Sequence, residues 1–354
     1  MGKYYSYKKI MRKKADYNII IGQRSNGKTY GILEYALRND LRVAYIRRYD
    51  EDITAKNIRD LYEPHRVDKD GYNAIIYRSK QFKYCYYDEN GKITKIAKNS
   101  LCECFALSTW ERTKGSDRGH FDIIVFDEFL SRSDYLHNEF TIFQNVLSSI
   151  IRDRDGTQIY MLGNTVSKNC PYWAELRISK EVGEIQQGQI LTVFKGAKNT
   201  KIAIEYADST GNTEKVRKFF EFGNDKSTMI TQGNWEIENY PRADFKISKD
   251  NIIHTAYIYD SDIALDVVRS NNNIIVRVRP STKDKHYVFG YDSTKIPNNY
   301  VTTTPYNPTN KLHKIILDCI KTNRVVYIDN EIGDKFNYYI REARKKENNI
   351  LYVL

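Results

Sequence analysis

No stretch of 18 uncharged apolar residues occurs in this sequence, so no membrane-spanning helix is expected. Its basic first residues, MGKYYSYKKIMRKK, are not followed by an apolar segment, which argues against a secretory signal, and the residues after Gly2 make a poor acylation site. Cysteine is sparse. Cys85, Cys102, Cys104, Cys170 and Cys319 include no CxxC and no Cys/His ligand spacing, which points to buried, reduced thiols and away from a zinc module or a disulfide scaffold. Cys102 and Cys104, two apart, are expected on one face of a strand. Internal repeats and low-complexity segments are also lacking.

What is present is 354 residues, room for two domains with a core in each, and 41% apolar content, which marks a globular chain. The net charge is +11, with a pI near 9.1 and 29 tyrosines. That balance favours a polyanionic partner, nucleic acid first.

Residues 1–197 alternate apolar runs with helical patterns, as a mostly parallel α/β sheet does. YNIII (17–21), LRVAYIRRY (41–49), FDIIVFDEF (121–129) and TQIYMLGN (157–164) read as buried strands. Helices are expected over 28–40, 53–64 (stopped by Pro64) and 138–152, and a β-hairpin around Glu89-Asn90-Gly91. The glycine-rich, polar stretch after Val182 reads as the last strand of the first domain followed by a linker, assigned to 198–240. Short strands, two helices and the strand RVVYID then build an α+β domain over 241–354.

Gly22-Gln23-Arg24-Ser25-Asn26-Gly27-Lys28-Thr29 fits G-x-x-x-x-G-K-[ST] at every fixed position, with a strand before it and a helix after it. The glycines let backbone N–H groups curl around a phosphate, Lys28 brings charge to the β- and γ-phosphates, and the Thr29 hydroxyl would hold Mg²⁺. Tyr30, next in line, is grouped with this ATP-binding loop. In DIIVFDEF, Asp127 emerges at the carboxyl end of a buried strand, where α/β sheets place ligands, as a magnesium ligand. Glu128 beside it is positioned to activate water. A kinase needs no such glutamate, so the Asp-Glu pair predicts ATP hydrolysis coupled to motion. Asn164, at the end of YMLGN, is a candidate contact to the γ-phosphate or the water. Arg152 and Arg154 in IIRDRDG, and Lys114 in WERTKGSDRGH, are candidates for completing a neighbour's site, against the plainer reading of solvated charges. Arg24 is expected to face nucleotide or an acid such as Glu128.

GQRSNGKTY, YIRRY, IVFDEF, IIRDRD and LGNTVS, in this order across residues 17–167, resemble the genome-packaging ATPases of small short-tailed bacteriophages, relatives of the large-terminase motors. The resemblance implies a RecA/terminase-like phosphate-loop NTPase fold of the glutamate-bearing (ASCE) type. It also implies a homopentameric ring at a capsid portal in the host cytoplasm, pumping double-stranded DNA into a prohead, and a scaffold RNA as a further partner. It assigns Lys28 and Thr29 to the phosphate loop, Asp127 to magnesium, Glu128 to catalysis, Asn164 to coupling, and Arg152 and Lys114 to action in trans, with Arg154 as the alternative finger. It further implies a C-terminal domain similar to ribonuclease H-type nucleases that has lost its activity, although Asp260, Asp262, Asp266 and Asp329 are available. Arg277 to Pro280 (RVRP) and the basic last helix are its candidate contacts to DNA, portal or RNA, and Lys56 and Arg59 are candidate DNA grips in the first domain, against the equal alternative of a solvated helix face. The competing readings are a hexameric helicase or plasmid-type DNA pump, a small-molecule kinase, and a nucleotide-gated structural or RNA-binding protein.

Overall fold

The computed structural model describes residues 5–110, 119–131, 135–152, 154–208, 235, 238–259, 261–270, 273–281, 287–290, 301–303 and 311–351. Its contacts divide the chain into two compact units, Met1–Glu236 and Ile237–Leu354.

The first unit is a ten-stranded sheet in the order β3-β4-β6-β2-β7-β8-β1-β10-β9, with β5 paired to β4. Its six middle strands run parallel: β6 (Cys102–Ala106), β2 (Val43–Arg47), β7 (Ile123–Asp127), β8 (Gln158–Asn164), β1 (Tyr17–Gly22) and β10 (Thr200–Tyr206). Antiparallel hairpins finish both edges, β9 (Ile190–Lys195) on β10, and β3 (Ala74–Arg78), β4 (Gln81–Tyr87) and β5 (Ile93–Ile96) beyond β6.

The middle strands are apolar at both parities because both faces are covered. Ile19 and Ile21 enter one core with α4 (Glu139–Ile151), α5 (Pro171–Glu175) and α6 (Ser179–Glu184). Ile20 enters the other, with α1 (Lys8–Met11), α2 (Lys28–Arg38) and the 53–62 segment, and Cys102 and Cys104 share that face.

Two expectations change. The helix expected over 53–64 is one short turn, α3 (Ala55–Ile58), between two 3-10 turns. Ile53 O, which a continuous helix would use, accepts from the Tyr77 hydroxyl, and Asn57 Nδ2 and Thr54 Oγ1 donate to Glu51 O just ahead of the segment. The domain edge placed at 197 also falls too early, since residues 200–206 form β10, hydrogen-bonded along β1 inside the sheet. Its antiparallel hairpin with β9 disguised a central parallel strand as the approach to a linker.

The second unit is a six-stranded sheet, β15-β14-β11-β12-β13-β16. β11 (Ile252–Ile258), β12 (Ile263–Ser270) and β13 (Asn273–Pro280) form an antiparallel meander. β14 (Tyr287–Phe289), β15 (Val301–Thr303) and β16 (Val325–Tyr327) add to it in parallel. Ile316 and Leu317 of α7 (Lys311–Lys321), and Phe336 and Tyr339 of α8 (Asn330–Leu351), share one core with Val267 and Val278.

Candidate active site

The site forms where β1 ends. The chain leaves the sheet at Gly22, turns through Ser25 (φ 56°) and Gly27 (φ 85°), and enters α2 at Lys28. At Gly27 a left-handed backbone favours glycine. The Lys28 ammonium is buried and donates to Gln23 O (2.7 Å), Asn26 Oδ1 (3.1 Å), Asn164 Oδ1 (3.2 Å) and Gly22 O (3.4 Å). All four are neutral oxygens, so the charge is aimed without being neutralised. Burial pulls this ammonium down to about 8, against the opposing pull of Asp127 and Glu128. The other end of the Asn26 amide, Nδ2, is buried and has no acceptor among the described residues.

Asp127 closes the far wall. Its Oδ2 accepts from Thr29 Oγ1 (3.0 Å) and from the Tyr45 hydroxyl (2.7 Å), and its Oδ1 from the Glu128 N–H (3.1 Å). Burial, with the Asp127 charge behind it, raises the Tyr45 phenol well above its ordinary value, so it remains a donor. Glu128 adopts φ 56° and leaves its carboxylate 56% exposed, held by Arg47 Nη2 at 2.7 Å. Residues 25–30, Asp127, Glu128 and 162–164 line a cavity of about 240 Å³. The loop residues, Thr29, Tyr30, Asp127, Glu128 and Asn164 named from the sequence therefore converge, Gly22 and Gln23 through their carbonyls on Lys28.

Other named residues lie elsewhere. Arg24 is exposed on the loop, and of the two partners expected for it, nucleotide or an acid such as Glu128, the acid is taken by Arg47: β2 and β7 are parallel neighbours, so Arg47 ends beside the Asp-Glu step. Arg152 is exposed at the C-cap of α4, a helix about 20 Å long at 1.5 Å per residue, and does not line its own chain's cavity. Arg154 donates to Gly119 O at 2.5 Å, just before β7 begins and so at the opposite end of that strand from Asp127. Lys114 lies outside the described residues, five positions ahead of Gly119. Lys56 is exposed on α3, and Arg59, also exposed, lies 3.1 Å from Asp60.

The family model of the podovirus DNA encapsidation protein (Gp16) matches residues 1–345. The chain belongs to that family. Among curated relatives, the DNA packaging protein of Bacillus phage phi29 is 23% identical over 327 residues, which are 88% of this chain and 90% of that protein. Among solved structures, a chain of the bacteriophage Phi-29 viral genome packaging motor assembly superposes with a TM-score of 0.56 at 18% identity, covering 96% of this chain and 99% of that one. A chain of the Phi-28 gp11 DNA packaging motor gives 0.50 at 16% identity, covering 96% and 98%. At these identities the likeness is one of fold.

In this encapsidation-family chain, YIRRY carries three site contacts that its resemblance to the family did not assign. Tyr45 holds Asp127 and Arg47 holds Glu128. Buried Arg48 pairs with Glu139 through Nε to Oε2 (2.8 Å) and Nη2 to Oε1 (3.0 Å), and donates to Phe129 O (2.5 Å) and Glu128 O (3.3 Å). Glu139 also accepts from the Tyr172 hydroxyl (2.9 Å) and the Leu136 N–H (2.7 Å). One signal was available: three polar side chains at the carboxyl end of a buried strand, where ligands bind. Knowing that β2 lies beside β7 was also necessary.

Proposed function

We propose that the protein is an ATPase whose hydrolysis cycle moves double-stranded DNA into a viral capsid, working as a ring at the portal, with a phosphate-loop NTPase of the glutamate-bearing type as its first unit. The observation that carries this reading is the meeting of Lys28, Thr29, Asp127 and Asn164 around one cavity, with Glu128 at its rim. Family membership and the packaging names of its relatives supply the purpose.

The donor set fits a magnesium nucleotide. Asn26 Nδ2 is a buried donor without an acceptor among the described residues, Lys28 is a dehydrated cation, and the start of α2 would present backbone N–H groups to an anion. Thr29 and Asp127 would hold Mg²⁺, which neutralises phosphate charge. The described residues include no group of three or more His, Cys, Asp or Glu able to hold a metal, which suits an ion that keeps water and substrate oxygens as its other ligands. Lys28 orients the terminal phosphates, Asn164 reads their position at the end of β8, and Glu128, steered by Arg47, accepts the proton of the attacking water. Arg152 and Lys114, by this reading, serve a neighbouring subunit. A homopentamer, a scaffold RNA partner, and DNA grips at Lys56 and Arg59 belong to the same proposal.

In the second unit we read a ribonuclease H-type domain without its metal site. An antiparallel meander extended by parallel strands supports the fold. Asp266 is fully buried beneath Arg277 (2.7 Å) and Arg279 (2.8 Å), Asp329 caps α8 through the Ile332 N–H, Asp262 is exposed in a turn, and Asp260 lies outside the described residues. Glu128→Gln tests the central assignment. ATP binding should persist while turnover falls by about 10²- to 10⁴-fold, the range of general-base catalysis, and unchanged turnover would remove Glu128 from its role.

A further inference from the structure

The amino-terminal segment does more than cover the core. Tyr5 and Tyr7 are buried in the same cluster as Ile32 and Leu33 of α2, and both also bond to the glycine-rich loop. The Tyr5 N–H donates to Asn26 O (2.7 Å), and the Tyr7 hydroxyl donates to Lys28 O (2.5 Å). These are the carbonyls of the residues on either side of Gly27, whose left-handed backbone (φ 85°) turns the loop into α2. Residues 5–7 thus tie down the chain on both sides of that turn.

The direction of the ties matters. In a planar trans peptide the C=O and N–H point opposite ways. Drawing the Asn26 and Lys28 carbonyls towards the strap turns the N–H groups of Gly27 and Thr29 away from it, and the Thr29 N–H, in the first turn of α2, points to the helix's N-terminal end. The strap is itself anchored. The Tyr5 hydroxyl donates to buried Glu205 on β10, and the Tyr5 and Tyr7 rings meet edge to face at 4.7 Å. Tyr7 also meets Tyr160 of β8, the strand that ends at Asn164, at 5.8 Å. Gly31 makes this approach possible: a Cβ there would lie 3.0 and 3.1 Å from Tyr7 ring carbons and 3.3 Å from Tyr5 O.

We propose that Tyr7, with Tyr5, is a positioning residue for the nucleotide: by holding the carbonyls on either side of Gly27 it presets the loop's N–H groups for the β-phosphate, and so sets ATP affinity without touching ATP. The idea rests on the reading of the loop as an ATP site. The test is calorimetric binding of ATP with Mg²⁺ to the full chain, alongside steady-state turnover and thermal melting. Tyr7→Phe deletes one hydroxyl from a ring that keeps its packing. It should weaken ATP binding and raise KM about five- to ten-fold, the worth of one hydrogen bond, with kcat changed less than about two-fold and the melting midpoint nearly unmoved. Gly31→Ala, which displaces the ring, should give the same split. Unchanged ATP affinity in both variants overturns the strap's role, and so does a loss of affinity that only follows a loss of melting stability. Failure of the unaltered protein to bind ATP overturns the loop reading itself.

Discussion

A lysine buried among neutral oxygens should make the proposed ATP-binding loop sensitive to pH. The Lys28 ammonium lies near 8, below its ordinary value, because burial outweighs the attraction of Asp127 and Glu128. A bound polyphosphate favours the charged form, so ATP binding above pH 8 must be accompanied by proton uptake at Lys28. Affinity should fall as pH rises from about 8 to 10, and calorimetry at pH 8.5 in buffers of different ionisation enthalpy should register the proton. Lys28→Ala should abolish binding. At this scale the sequence was most legible where spacing along the chain is short, since Gly22 to Thr29 are consecutive and strand β1 aims them. Arg47 on Glu128 and Tyr45 on Asp127 are contacts about 80 positions apart, and no periodicity in either strand announces them.

At the scale of elements, the Arg48–Glu139 pair joins the end of β2, the backbone after Asp127 and the first turn of α4. Both side chains are almost completely buried, so removing one partner strands the other charge. Glu139→Gln should cost about 3–5 kcal/mol in urea unfolding, the usual penalty for breaking a buried pair, and should lower turnover by displacing Glu128. Strand β10 supplies a second test. A chain ended at 197 loses the parallel neighbour of β1 and should not melt cooperatively, whereas one ended at Glu236 should. Strand existence was legible from apolar runs, but strand order was not. β10 was hidden because a hairpin partner carrying Lys195 and exposed Phe194 gives it the look of a surface ribbon.

In the second unit, His313 is buried on α7 between Phe289 (4.5 Å) and His254 (5.9 Å), and its ring nitrogens have no partner among the described residues. Burial, and secondarily His254, lower it to about 4. The neutral form is the one that fits. Its stability contribution is therefore complete above the unfolded value near 6.5 and is lost as pH falls towards 4, on the order of 3 kcal/mol. His313→Leu should flatten this acid limb in pH-dependent unfolding.

For the whole molecule, the question is whether one chain holds a complete site. Arg152 is exposed at the far end of α4, and the Arg154–Gly119 contact lies at the opposite end of β7 from Asp127. Neither arginine lines its own chain's cavity, so on the proposed reading any part it takes in turnover is played at a neighbour's site. Mixing Arg152→Ala chains with Glu128→Gln chains should restore part of the turnover that each lacks alone, because some interfaces then pair an intact glutamate with an intact arginine. No recovery at any ratio would count against action of Arg152 in trans. A net charge of +11 suits a DNA partner gripped through phosphates, which a motor indifferent to sequence requires. The most direct test of ATP-driven DNA movement is ATP turnover by the purified protein titrated with double-stranded DNA. Turnover should rise several-fold, irrespective of base sequence, and the stimulation should fade as salt rises. Turnover that stays flat at every DNA concentration in low salt would contradict the account.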